Sequence, residues 1–80
     1  MNNTDRLIKS FVESLGISAG QVIDTLAYQS IKQWDSVGHM ALVAALETEF
    51  NVMLDTDDII GMSSVGVAKQ ILQKHGVAFP

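Results

Sequence analysis

Three residues in the stretch Gln33-Trp34-Asp35-Ser36-Val37-Gly38-His39-Met40 could do chemistry: an acid, a hydroxyl and an imidazole. Asp35 is a strong N-cap type whose carboxylate accepts an orphan backbone N–H, so Ser36 begins the following helix with its hydroxyl at the positive end of the dipole. A serine so placed suits an attached phosphate. Ser36 and His39 stand three apart on that helix, the spacing of a nucleophile and its base. The surroundings argue against such a pair: there is no G-x-S-x-G elbow, no third group to orient the histidine, and too little chain to exclude water from an intermediate. His39 is read instead as lining the core side of the helix.

Other chemistry is largely excluded. The chain has no cysteine and two distant histidines, His39 and His75, a poor basis for zinc. Asp55, Asp57 and Asp58 resemble the start of a calcium loop, yet Ile60 stands where its glycine belongs and Gly66 where its bidentate glutamate belongs. A net charge of −4 disfavours nucleic acid as a partner. All six charged residues from Asp35 through Asp58 are acids, so this half would attract a basic surface. The N-terminus lacks a signal peptide's basic and apolar regions, and no run is long enough for stable membrane insertion. The expected location is cytoplasmic.

These residues need a scaffold, and eighty residues, 48% of them hydrophobic, make one domain spanning 1–80. Leu7, Ile8, Phe11, Val12 and Leu15 form a helical stripe that Gly16 can stop. From Ile17 to Trp34 the spacing becomes irregular, predicting a long loop pinned to the core by Ile17, Val22, Ile23, Leu26 and Ile31, with Trp34 as a packing anchor. A second helix runs from Ser36 to Phe50, closed by Asn51, with Met53 and Leu54 following as anchors. Thr56-Asp57-Asp58 opens a short third helix carrying Ile59, Ile60 and Met62. Ser63 or Ser64 caps a fourth, which ends by Gly76. The expected fold is all-α: a small, monomeric four-helix bundle with a short third helix and a long loop between helices one and two.

The second helix is apolar on two sides. Leu42, Val43, Leu46 and Phe50 make the natural core face, while Val37, Met40, Ala41 and Ala44 lie nearly opposite, beginning beside Ser36. A domain this small cannot readily bury both, so the second strip is expected in solvent as a docking surface.

Asp35-Ser36-Val37, continued by Gly38-His39-Met40-Ala41-Leu42-Val43-Ala44-Ala45-Leu46-Glu47 and then Glu49-Phe50, resembles the acyl carrier proteins, whose usual signature is Asp-Ser-Leu at the start of helix two. The resemblance spans nearly the whole chain in helix order and spacing. It implies that Ser36 receives phosphopantetheine from a separate phosphopantetheinyl transferase, and that the arm's thiol shuttles acyl groups as thioesters between acyl-loading and acyl-processing enzymes, the domain itself being non-catalytic. Val37 replaces the usual leucine, and Gly38 and Ala41 stand where many fatty-acid carriers place acids. Docking should therefore rest on the apolar strip with Glu47, Asp57 and Asp58. Gly38 is also expected to loosen the helix by roughly 1 kcal/mol relative to alanine. The combination Trp-Asp-Ser-Val-Gly-His looks most like freestanding carriers of polyketide, lipid-modification or surface-polysaccharide pathways. A lipid-like cargo would fold back into a cavity between helices two and three, shielded by His39, Leu42, Val43, Leu46, Phe50, Ile59 and Ile71. The alternative is an unmodified helical interaction module of the same fold.

Overall fold

Helix α1 (Asn3–Leu15) begins where the Asn2 side chain accepts from the Asp5 N–H at 2.8 Å, with Asp5 favourably placed in the first turn. It ends where Gly16 turns left-handed at φ +68° and donates its N–H to Val12 O. The computed structural model describes residues 1–80, with α1 followed by a single 3-10 turn at Ala19–Gln21, then α2 (Ser36–Phe50), α3 (Thr56–Gly61) and α4 (Val65–Lys74). The chain is an all-helical bundle without strands, its third helix short and its long connection lying between α1 and α2.

Leu7, Phe11 and Leu15 of α1 share one buried cluster with Leu42, Val43, Leu46 and Phe50 of α2 and with Val65, Ala68 and Leu72 of α4. Ser10 also lies buried, its hydroxyl donating back to Arg6 O at 2.9 Å, which satisfies the group without a cross-chain partner. At the far end of this pair the Arg6 guanidinium stacks 4.7 Å over the Phe50 ring and bonds both the carboxylate and the carbonyl of Glu49. Phe79 adds an edge contact to Phe50, and Asn3 donates to Ala78 O, so the C-terminal tail is folded onto the start of α1.

The long connection is pinned by Ile17, Val22 and the fully buried Trp34, with Leu26 and Ile31 half-buried. Ile23, expected among these anchors, is exposed. What holds the connection in addition is backbone pairing with the start of α4, which apolar spacing does not signal. Tyr28 N–H donates to Ser63 O, Val65 N–H to Leu26 O and Gly66 N–H to Asp24 O, around an isolated antiparallel bridge between Ala27 and Ser64. Ser64 is thereby fixed as the α4 cap, accepting from Val67 N–H. Past α2, Leu54 is the anchor and Met53 is 84% exposed, because consecutive residues of this extended segment face opposite ways. No helix is long and apolar enough to cross a membrane.

Candidate functional site

Asp35 adopts extended backbone, accepts the Gly38 N–H on its carboxylate at 2.8 Å and accepts the His39 N–H on its carbonyl at 2.7 Å. Two helix-terminal donors, the N–H groups of Ser36 and Val37, keep no acceptor within the chain. Ser36 is the first residue of α2 and is exposed, its hydroxyl beside those donors. An anion placed here would meet free N–H groups and the positive end of a four-turn helix.

Gly38 is what lets the chain enter α2 so closely. A Cβ at this position would lie nearer than 3.0 Å to the Gln33 carbonyl oxygen and 3.0 Å from a Leu15 methyl. The expectation that Gly38 weakens the helix relative to alanine is therefore reversed: the missing Cβ is the space in which Gln33, Asp35 and α1 pack against the helix start.

His39 is occupied on both sides. Trp34 Nε1–H donates to His39 Nδ1 at 2.9 Å, fixing the tautomer in which His39 Nε2–H donates to Ile59 O at 2.8 Å. Its ring stacks on Trp34 and meets Tyr28 edge-on. Neither nitrogen is left for Ser36, so the pair has no nucleophile–base geometry. The histidine instead links the end of the long connection, α2 and α3. Trp34 packs edge-to-face on Phe11, and so carries this link into the core as well.

The strip expected in solvent is there: Val37 is 78% and Met40 56% exposed, and Ala41 and Ala44 are exposed too. Ile60 of α3 adds a further exposed aliphatic group at 77%. Among the acids proposed beside this strip, only Asp57 is freely exposed. Asp58 is 3% exposed, bonded to Lys74 and, at 2.8 Å, to His75 Nε2. It also closes the α3 capping box, its N–H donating to Asp55 Oδ1 at 2.8 Å. The Lys74 ammonium and then the His75 bond hold its carboxyl down at about 2, while Lys74 is raised by the same contact. Asp58 thus fastens α3 to the end of α4 and is not presented to a partner. Glu47 is half-buried and accepts the Leu54 N–H at 2.9 Å, serving the turn after α2 rather than standing free.

The pocket expectation also needs correction. Leu42, Val43, Leu46 and Phe50 are buried in the core and line no cavity, and Ile71 is a half-buried flank of it. Of the seven residues expected around a cargo, only His39 and Ile59 border open space: a cleft of about 280 Å³ completed by Tyr28, Ile60, Met62 and Ser63. Tyr28 and Ser63 reach it because the Tyr28–Ser63 backbone bond brings the long connection to the α3–α4 junction. A separate groove between α1 and α2 is polar-rimmed, with Lys9, Glu13 and Glu49 around Ala44 and Ala45. No group of acids and histidines in the structure could hold a metal ion.

No family model matches the chain. No solved structure matches it at a significant level.

Proposed function

We propose that this chain is a carrier of acyl groups whose attachment point is Ser36. The observation that carries the reading is the exposed serine hydroxyl at the first position of a capped helix, beside two N–H groups without acceptors and with no base in reach. In modification by a phosphopantetheinyl transferase, Ser36 Oγ forms a phosphoester bond as the phosphoanhydride of coenzyme A breaks. The hydroxyl proton passes to the transferase, and the nucleotide bisphosphate leaves. The attached group supplies a thiol that holds an acyl chain as a thioester.

The residues present fit a phosphodiester. Ser36 and Val37 N–H would face its negative oxygens, the α2 dipole favours the same charge, and exposure of Ser36 gives a transferase access. Asp35 keeps its cap role on Gly38 N–H, and its negative charge turns the arm outward. Loading and processing enzymes would dock on Val37, Met40, Ala41 and Ala44 with Ile60 alongside, and the acidic segment would steer basic partner surfaces. The chain itself turns nothing over. Its setting would be a fatty-acid, polyketide or other specialised lipid or polysaccharide pathway in the cytoplasm.

The test is intact mass after incubation with coenzyme A and a broad-specificity transferase. The wild type should gain one phosphopantetheinyl group and Ser36→Ala none. No gain with several transferases would sink the reading and leave the same exposed strip serving an unmodified interaction module.

A further inference from the structure

We infer that α3 is held by two opposed histidine latches, so that mild acid frees it from α2 while fastening it more firmly to α4. The chain's two histidines, distant in sequence, close on adjacent residues of α3: His39 Nε2–H donates to Ile59 O at 2.8 Å, and His75 Nε2 bonds the Asp58 carboxylate at 2.8 Å. Little else holds this helix. Its one buried residue is Asp58, and it reaches the other helices by hydrogen bonds only through His39, Lys74 and His75.

The two latches respond oppositely to a proton. Trp34 Nε1–H, an indole group that can only donate, points at His39 Nδ1 from 2.9 Å, so that nitrogen must be unprotonated. A proton there sets two N–H groups against each other and breaks the Trp34 bond. The bond to Ile59 O depends on the ring plane that the Trp34 bond fixes, and it goes too. His75 gains where His39 loses: its protonated ring makes a charge-assisted pair with Asp58, whose carboxyl, held down at about 2, stays ionised. Histidines change charge between about pH 5 and 8, so both responses fall in one interval.

The surroundings of each ring reinforce the contrast. His39 is half-buried and faces the Tyr28 ring of the long connection edge-on at 5.1 Å and the Ile59 carbonyl of α3, while on α2 the Asp35 carboxylate is committed to Gly38 N–H. No carboxylate bonds its ring to offset a positive charge. His75 faces Asp58, with Asp55 and Asp57 also at the start of α3 and Lys74 beside it on α4. Lys74 keeps its own hold on Asp58 throughout. The latch operates with or without an arm on Ser36.

The test follows the full chain by NMR from about pH 7.5 to 5, reading the ring nitrogens of both histidines and the Trp34 indole N–H. As His39 gains its proton, the indole N–H should lose protection from exchange about tenfold. Nuclear Overhauser contacts between His39 and Ile59 should vanish, while those between His75 and Asp58 persist. His39→Gln, which offers an acceptor and a donor but does not titrate, should remove this pH dependence, and His75→Gln should retain it. The Leu42 and Leu46 amides should stay protected. A His39 ring that remains neutral and in contact with Ile59 down to about pH 5 overturns the inference. Equal indole deprotection in His39→Gln, release of α3 from α4 instead of α2, or loss of protection at Leu42 and Leu46 overturns it as well.

Discussion

Replacing Gly38 with alanine sets two magnitudes against each other. Helix propensity alone makes the change favourable by about 1 kcal/mol at an interior position. Against this stands a Cβ forced inside 3.0 Å of the Gln33 carbonyl oxygen, which is backbone and cannot swing away. Overpacking of this kind costs about 1–3 kcal/mol. Moving Gln33 also drags Trp34 and Asp35, straining the cap on Gly38 N–H, itself worth about 0.5–2 kcal/mol. The net expectation is a loss of about 0.5–4 kcal/mol. For a domain of this size each kcal/mol lowers Tm by about 4–8 °C. Urea unfolding followed by helical circular dichroism measures it, with an unchanged m-value confirming that stability alone has moved. Gly61→Ala at the end of α3, where a new Cβ meets nothing within 4 Å, is the control and should be neutral or mildly stabilising. A Gly38→Ala variant as stable as the wild type, or more so, would refute the claim that this glycine is a packing space. On the proposed carrier reading, the rate at which a transferase modifies Ser36 would give a second readout, since a displaced Gln33–Asp35 segment also moves the serine.

Three further outcomes are expected. His39→Phe leaves Trp34 Nε1–H and Ile59 O without partners and should cost about 2–6 kcal/mol in urea unfolding, at about 1–3 kcal/mol for each unpaired group; a loss under 0.5 kcal/mol would mean the histidine is not a brace. Asp58 has its carboxyl lowered to about 2 from the ordinary 3.8, so its contribution is full above about pH 4 and is lost as pH falls through 2. Asp58→Asn should therefore be less stable than the wild type at neutral pH, with the two thermal curves converging near pH 2; a constant gap across that range would remove the ionised carboxylate as the cause. Asp35→Ala should lose about 1 kcal/mol in thermal unfolding and fray the first turn of α2 in amide exchange, whereas unchanged protection of Gly38 N–H would show that the cap is dispensable.

Features that depend on neighbours in sequence were legible there. The Leu7–Leu15 stripe, the left-handed stops at Gly16 and Asn51, the Asp35 cap and the two apolar sides of α2 follow from helical periodicity and local side-chain-to-backbone bonds. What escaped depends on approach between distant segments. Asp57 and Asp58 are adjacent acids at one helix start, and nothing local indicates that one is exposed while the other meets Lys74 and His75. Gly38 looked like a flaw because the Gln33 carbonyl that needs its space arrives only through the turn at Trp34. For the same reason Tyr28 and Ser63 gave no sign of bordering a cleft: they are neighbours solely through a backbone bond across the fold. Within the Ser36 region, serine, aspartate and exposed strip were readable, whereas the cleft's composition was not.

The backbone seam joining residues 24–28 to 63–66 also bears on the order in which the molecule assembles. Most contacts in a helical bundle are local and form within microseconds to milliseconds, but this seam closes a loop that contains all of α2 and α3. The long connection can therefore settle on its final course only after the last helix arrives. Substitutions in the seam, such as Gly66→Ala beneath the Asp24 carbonyl, should then loosen the long connection and the start of α4 together. The same closure brings Tyr28 beside Ser63, so their cleft exists only once α4 has docked on the long connection.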